Sequence, residues 1–284
     1  MTARPLVVGC VQTNSSGDVA ANMATAVRLI RAAREAGAEF IAVPENVALM
    51  ASEPEVIQSH AAENRALSTF QKVAAETGAW LLVGSLAVES SNGRVANRSL
   101  LIDGQGVVVA RYDKIHMFDV DLPSGETYRE SATYRPGGQA CLAPTPWGPL
   151  GMTVCYDLRF PHLYRALAKA GAALIAVPSA FTKVTGRAHW HVLLRARAIE
   201  TGCFLIAPAQ CGTNYGDRQT YGHALVVDPW GQVLADAGED VGFVTATLDL
   251  ARVDEVRAMV PSLRHDRPFQ TPVLDRKSAS HPDD

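Results

Sequence analysis

The chain has 284 residues, of which 48% are hydrophobic and 19% charged, a balance typical of a globular protein rather than a disordered one. Its formal net charge of -3 excludes the strongly basic surface of a typical nucleic-acid-binding protein. We find no signal-peptide pattern at the start and no run of about 18 apolar residues, so we expect neither export nor a membrane span.

The cysteine pattern predicts free thiols. The five cysteines form no C-x-x-C pair and their number is odd, so neither a disulfide framework nor a zinc ribbon is expected; they are Cys10, Cys141, Cys155, Cys203 and Cys211. A reducing cytoplasm suits such a protein best.

Strands and helices alternate in the first part of the chain. Buried or alternating apolar runs predict strands, and Ala-rich periodic runs that end at Gly37 and Gly78 predict helices. The predicted strands are 5–12, 39–44, 80–88, 97–103 and 107–113, and the predicted helices are 19–36 and 60–77. The turn GQG between the last two strands indicates a hairpin.

The segment 113–148 is rich in Pro, Gly and charge, and a long irregular segment inside a compact domain is usually functional. After it the alternation resumes. We expect strands at 148–155, 173–178 and 204–209, helices at 162–171 and 188–201, and a second hairpin at 221–237.

Two pairs of segments repeat in the same order. AGAEFIAVPE (36–45) and AGAALIAVPS (170–179) match at seven of ten positions, and SLLIDGQGVVVA (99–110) aligns without gaps to ALVVDPWGQVLA (224–235). Two αβ halves can bury their sheet faces against each other. We therefore predict an α/β fold, a four-layer αββα sandwich with an internal pseudo-two-fold repeat, in one domain spanning 1–284 with a tail from about 260 to 284.

Three residues at predicted strand ends could carry chemistry. Cys155 follows an apolar strand and precedes a helix, where backbone N–H groups favour a thiolate. Glu45 directly follows a buried strand, where an acid can serve as a general base. Lys114 ends a hairpin strand among apolar neighbours and could be a fixed cation. Each residue could instead have a purely structural role. Cys155 could be a buried thiol, Glu45 a solvated acid and Lys114 a surface lysine.

These residues lie in three motifs that resemble the nitrilase superfamily of carbon–nitrogen hydrolases. The motifs are PEN (44–46), RYDKIHMFDVDLP (111–123) and GMTVCYDLRFP (151–161). The segments 178–204 and 221–231 resemble the Nit branch, and AQCG (209–212) is more similar to deaminated-glutathione amidases than to ω-amidases. The resemblance extends over almost the whole chain.

The resemblance implies a mechanism that needs no metal and no cofactor. Cys155 would be the nucleophile, Glu45 the general base and acid, and Lys114 the cation that stabilises the oxyanion. Glu130 resembles the second glutamate of the family, which helps to hold the lysine and the substrate. The backbone N–H of Tyr156 would complete the oxyanion hole. A small carboxylate-bearing amide would be hydrolysed to an acid and ammonia through a thioester.

The resemblance also implies substrate contacts and an assembly. Arg159 matches a position that can bind a substrate carboxylate, and Phe181 and Thr185 match pocket positions. Arg187 stands where Pro or Glu is expected. The family commonly pairs through the helix at 188–201 and the tail, so we expect a homodimer or larger homo-oligomer.

Several other functions stay open at this point. The substrate could be deaminated glutathione, a 2-oxo-acid amide as in ω-amidases, an N-carbamoyl amino acid or a nitrile. A Cys–His protease is disfavoured because no histidine lies in a papain-like or caspase-like signature. A glutamine-dependent synthetase would need a P-loop and a longer chain. A non-catalytic scaffold would be expected to lack one of Glu45, Lys114 and Cys155.

Overall fold

Strands and helices alternate along both halves of the chain. The computed structural model describes residues 5–63, 65–90, 94–123 and 125–271. The first half contains β1 (Leu6–Thr13), α1 (Val19–Glu35), β2 (Phe40–Val43), α2 (Pro54–Glu63), α3 (Arg65–Thr77), β3 (Trp80–Glu89), β4 (Val95–Ile102) and β5 (Val108–Asp113). A connecting segment follows, with β6 (Asp119–Asp121), β7 (Thr127–Arg129) and β8 (Cys141–Ala143).

The second half repeats this alternation and then extends it. It contains β9 (Leu150–Met152), α4 (Pro161–Lys169), β10 (Leu174–Ala176), α5 (Lys183–Thr201), β11 (Phe204–Ala207), β12 (Ala209–Tyr215), β13 (Arg218–Tyr221), β14 (Leu225–Val227), β15 (Val233–Asp236), β16 (Gly242–Leu248) and α6 (Ala251–Met259). None of the helices in the described residues is both long and apolar enough to cross a bilayer.

Two sheets have the same internal order, which confirms the predicted repeat. The first contains β1-β2-β3-β4-β5, and the second contains β9-β10-β11-β14-β15 with β8 beside β9. In each, the first three strands are parallel and the hairpin is antiparallel. The helix–strand turns match as well, since Gly37 and Gly171 both have positive φ, 94° and 106°, which glycine adopts without steric cost.

The two sheets pack face to face between helical layers. Val8 and Cys10 of β1 belong to one buried cluster with Leu150 of β9, whereas Val11 belongs to a second cluster with Ile30 of α1. Alternate residues of a strand point to opposite faces, so β1 separates the inter-sheet core from the helix layer. The helices α4 and α5 cover the other face of the second sheet. The predicted αββα sandwich is confirmed.

Some predicted boundaries were wrong. The region predicted as one helix, 60–77, contains the end of α2 and all of α3, on either side of Asn64, which lies outside the described residues. The helix predicted at 188–201 begins at Lys183, because Thr182 caps it by accepting from Thr185 N at 3.4 Å. The segment 113–148 contains the small hairpin β6–β7. Of the predicted tail, 272–284 lies outside the described residues.

Candidate active site

The end of one strand in each sheet brings an acid beside a thiol. Glu45 follows β2, and Cys155 follows β9 at the start of a short 3₁₀ turn, Cys155–Arg159. Cys155 has φ 50°, an uncommon value for a residue with a Cβ, and its N–H donates to Pro178 O at 2.9 Å. The Cys155 thiol lies close enough to the Glu45 carboxylate for each group to shift the pKa of the other. The sharp turn after β9 therefore directs the sulfur at a base.

Lys114 brings a buried ammonium to the same point. Its Nζ donates to Oε1 of Glu45 at 3.0 Å and to the two carboxylate oxygens of Glu130 at 3.0 and 2.8 Å. Only 2% of the lysine side chain is exposed, so this is not a surface lysine. Glu130 is itself fixed by Phe118 N, which donates to its Oε2 at 2.7 Å. One cation is thus shared between two carboxylates.

Two further groups orient Glu45, and sequence reasoning missed both. The amide of Asn97 on β4 donates to Oε1 of Glu45 at 2.9 Å and to Oε1 of Glu130 at 3.1 Å. The N–H of Ala180 donates to Oε2 of Glu45 at 2.8 Å. The available signal was the asparagine in the strand VANRSLLI, at a position that the alternation of the strand places in the interior, since a buried amide needs polar partners.

A buried aspartate joins the lysine segment to the cysteine turn. Oδ2 of Asp157 accepts from Tyr112 Oη at 2.7 Å and from Val154 N at 2.9 Å. Its Oδ1 accepts from the backbone N and from Nδ1 of His116, at 3.1 and 2.7 Å. Tyr112 and His116 flank Lys114 in sequence. Asp157 therefore fixes the position of Lys114 relative to Cys155.

A cavity of about 1050 Å³ opens over these groups. Glu45, Lys114, Glu130 and Cys155 line it, and so do three of the predicted substrate-binding residues, Tyr156, Phe181 and Thr185. The walls also carry cations on α5 and β13, which are Lys183, Arg187 and Arg218. The volume suits a small-molecule substrate.

Comparisons with known proteins identify the family. The carbon–nitrogen hydrolase profile matches residues 7–258. This chain belongs to the carbon–nitrogen hydrolase family. A deaminated glutathione amidase of Synechocystis sp. (strain PCC 6803 / GT-S) is 42% identical over 267 residues, covering 92% of this chain and 98% of that protein. The Homo sapiens protein of the same name is 40% identical over 271 residues, covering 93% and 83%.

Solved structures agree with this assignment. The C. elegans NitFhit protein superposes with a TM-score of 0.89 at 36% identity, covering 94% of this chain and 66% of that longer chain. Saccharomyces cerevisiae Nit3, a member of branch 10 of the nitrilase superfamily, gives 0.82 at 26% identity, covering 92% and 96%. The predicted superfamily is confirmed: the protein is a hydrolase that acts on carbon–nitrogen bonds of small molecules.

The electrostatics of this carbon–nitrogen hydrolase correct one expectation. The position of Cys155 predicted a lowered pKa, but burial and the negative charge of Glu45 raise the pKa of this thiol. Burial also raises the pKa of Glu45, yet Lys114 and the hydrogen bonds from Cys155, Lys114 and Asn97 lower it below its ordinary value. Burial lowers the pKa of Lys114, but Glu130 and Glu45 raise it well above the ordinary value. The hydrolase therefore rests with a neutral thiol, an ionised Glu45 and a charged Lys114.

Arg159 lies beside the cavity rather than among its lining residues. Its guanidinium is 5.9 Å from the centre of the Tyr156 ring and 5.3 Å from that of Phe181, and its Nη1 donates to Nδ1 of His189 at 3.2 Å. Asp157, two residues before Arg159, accepts instead from the four donors described above. Carboxylate binding by Arg159 stays a prediction.

One group of side chains could hold a metal ion in the described part of the hydrolase. The ligand atoms of His191, His223 and Asp236 all lie within 4.8 Å of one another. His191 Nε2 is 3.1 Å and His223 Nδ1 is 2.9 Å from the Asp236 carboxylate. These contacts already satisfy the three side chains as hydrogen-bonded pairs. None of the three lines the catalytic cavity.

Proposed function

We propose that this hydrolase cleaves a small carboxylate-bearing amide through a thioester on Cys155, and that deaminated glutathione is the best single candidate. The observation that carries the proposal is the contact of the Cys155 thiol with Glu45, whose carboxylate is also bonded to Lys114 at 3.0 Å, in a cavity open to small molecules. The relatives named deaminated glutathione amidase support this choice of substrate.

The first half of the reaction uses all three groups. Glu45 takes the proton of Cys155 as the sulfur adds to the amide carbonyl, so a thiolate is needed only while the bond forms. The ammonium of Lys114 and the backbone N–H of Tyr156 stabilise the oxyanion. Because Glu130 shares the lysine, it holds Nζ in place as the charge of the intermediate develops. Glu45, now protonated, gives its proton to the departing nitrogen.

The second half reverses the proton transfer. Water replaces the amine, and Glu45 removes its proton as the oxygen attacks the thioester. The second oxyanion collapses, the carbon–sulfur bond breaks, and Cys155 recovers a proton from Glu45. Acid, base, nucleophile and oxyanion donors all come from side chains and backbone, so we propose that no cofactor takes part.

The identity of the leaving group depends on the substrate. A primary amide would release ammonia, as the sequence predicted. Deaminated glutathione has substituted nitrogens in both of its amide bonds, so its hydrolysis would release an amine instead. An assay that detects ammonia alone would therefore miss the candidate that we favour.

A substrate panel tests the proposal. Wild-type hydrolase is incubated with deaminated glutathione, a 2-oxo-acid amide, an N-carbamoyl amino acid and a nitrile, and the carboxylic acid product is measured by mass spectrometry. We expect the highest kcat/KM for deaminated glutathione and no product from the Cys155→Ala variant. A preference for the nitrile or for an uncharged amide would contradict the substrate proposal. Equal turnover by Cys155→Ala would contradict the mechanism.

Two further expectations belong to this proposal. We propose a homodimer or larger homo-oligomer, because α5 exposes two apolar side chains outside the catalytic cavity, Val192 and Ile199. We propose a cytoplasmic location, because the five cysteines are free thiols in the structure and a reducing compartment keeps them so.

A further inference from the structure

A second cation lies against the catalytic centre, and the sequence analysis did not single it out. Arg218 is the first residue of β13, and its Nη2 donates to Ala180 O at 3.2 Å. The N–H of the same residue, Ala180, donates to Glu45 at 2.8 Å, and its backbone also contacts the Cys155 thiol. Ala180 therefore lies between the guanidinium of Arg218 and the two catalytic residues Cys155 and Glu45.

Aromatic rings hold this guanidinium in place. Its central carbon is 4.8 Å from the centre of the Tyr128 ring and 5.6 Å from that of Tyr215. Nη1 donates to Oη of Tyr215 at 3.2 Å. A cation positioned in this way is pre-oriented and partly removed from water, so a ligand that binds to it loses little side-chain entropy.

The hydrogen-bonding capacity of Arg218 is not used up. Its Nε is buried and has no acceptor in the described part of the chain. Two other arginines that bond aspartates show the contrast: Arg98 has Asp113 at 2.6 Å and Arg129 has Asp121 at 2.8 Å. For Arg218 no carboxylate lies within 4.0 Å among residues 5–63, 65–90, 94–123 and 125–271. An unpaired buried donor on a cation is costly, and a carboxylate that binds the cavity-facing side of the guanidinium would compensate its charge.

We propose that Arg218 is the binding site for a substrate carboxylate carried close to the scissile carbon–nitrogen bond. This inference rests on the proposed function and specifies its substrate as an anion. Lys183 and Arg187 also line the cavity, but they are exposed on α5 and so suit a second, more distant carboxylate.

Acidic groups of the same cavity restrict where an anion can bind. Glu126 accepts from Oη of Tyr128 at 3.0 Å, and Asp217 also lines the wall. Each adds negative charge to that wall, and Lys114 bonds both Glu45 and Glu130 at the catalytic centre. The carboxylate is therefore expected between the Arg218 guanidinium and the catalytic groups, not at the Glu126 side.

Alkylation of Cys155 tests this site without a substrate. Iodoacetate and iodoacetamide differ in one carboxylate, so the ratio of their rates at Cys155 reports the anion site. We expect Arg218→Met to lower the iodoacetate-to-iodoacetamide ratio by about tenfold, as the loss of one partly screened charge contact would. Arg31→Met removes the same charge from an exposed pair on α1 and should leave the ratio unchanged. An unchanged ratio in folded Arg218→Met would overturn the proposal.

Amide kinetics separate this inference from the proposed function. Arg218→Met should raise KM for the carboxylate-bearing amide at least about tenfold more than for an uncharged amide of similar size. If Arg218→Met does not fold, Arg218→Lys serves in its place, because lysine keeps the charge but lacks the planar guanidinium. Arg218→Lys should raise KM by a smaller factor, and again more for the carboxylate-bearing amide than for the uncharged one. Equal effects on both amides would make Arg218 a scaffold residue. In a different outcome, the wild-type protein cleaves no anionic amide while Arg218→Met still lowers the iodoacetate-to-iodoacetamide ratio. That pair of results would contradict the proposed function but would support the anion site at Arg218.

Discussion

Nδ1 of His116 lies 2.7 Å from Oδ1 of Asp157, and this contact joins the segment that carries Lys114 to the turn that carries Cys155. The His116 ring stacks on Phe160 with ring centres 3.5 Å apart. Nucleophile and oxyanion cation come from different sheets, so their separation depends on this junction.

We expect Asp157→Asn to weaken both the fold and catalysis. Each bond to Asp157 comes from a donor, so the amide of an asparagine would face at least one N–H or O–H group without an acceptor. The free energy of unfolding should fall by about 1–3 kcal/mol, the usual cost of such a buried group. Chemical denaturation and kcat are measured together. Asp228→Asn alters a buried aspartate in the β14–β15 turn but keeps one oxygen as acceptor for both Trp230 N and Gln232 N, so it should change stability less and leave kcat unchanged. Wild-type kcat in Asp157→Asn would show that the junction does not position the catalytic groups.

The acid limb of the pH profile should report Glu45. Catalysis needs this carboxylate ionised, and its pKa lies below the ordinary 4.5, so kcat/KM should be lost only as the pH falls below that value. The amide of Asn97 helps to lower this pKa, so Asn97→Ala should move the acid limb to higher pH. On the alkaline side, the pKa values of Cys155 and Lys114 lie above 9.0 and 10.5, so no loss from either group is expected near neutrality. Circular dichroism at each pH separates titration from unfolding. If the acid limb of the kcat/KM profile lies at the same pH in Asn97→Ala as in the wild type, Glu45 is not the base that titrates there.

The strand pattern placed Glu45, Lys114 and Cys155 at strand ends, and the motifs that resemble the nitrilase superfamily singled them out as one candidate set. Parallel strands of matching halves bring such ends to the same edge. Asn97 and Arg218 could not be predicted in this way. Asn97 depends on the register of β4 against β3, and Arg218 on the β12–β13 hairpin, whose polar sequence gives little strand signal. The raised pKa of Cys155 could not be predicted either. It results from burial in the folded protein and from the charge of Glu45, and neither can be inferred from the position of Cys155 before a helix.

Removal of Lys114 should have two separable effects. Lys114→Ala deletes an oxyanion donor, which can cost about 10²–10³ in kcat. It also leaves Glu45 and Glu130 as neighbouring carboxylates without a cation, and breaking a buried pair typically costs about 3–5 kcal/mol. Thermal unfolding and kcat are measured at a temperature where the variant is still folded. Lys72→Ala on the exposed face of α3 should change neither quantity, and near-wild-type turnover by folded Lys114→Ala would remove Lys114 from the catalytic set.

The exposed apolar face of α5 should mediate self-association. Val192 is 66% and Ile199 54% exposed, and the turn that carries the half-exposed Trp230 packs against α5, where Gly231 lies beside Ile199 and accepts from Arg195 at 2.8 Å. A contiguous apolar patch on a protein surface usually marks an interface. Light scattering at micromolar concentration should give about twice 30.4 kDa, or more, for the wild type, and a smaller particle for Val192→Glu. Val107→Glu, at a position that is 53% exposed in the β4–β5 turn, serves as the control. A 30.4 kDa wild-type particle would rule out a stable dimer.

The location of the acyl group during turnover decides whether Cys155 is the nucleophile. Wild-type hydrolase mixed with excess carboxylate-bearing amide is quenched with acid within milliseconds, digested and examined by mass spectrometry. We predict that the peptide containing Cys155 gains the mass of the acyl group, and that Cys155→Ala shows neither this adduct nor turnover while keeping its thermal stability. An acyl group on Cys10, Cys141, Cys203 or Cys211, or undiminished turnover by Cys155→Ala, would contradict this prediction.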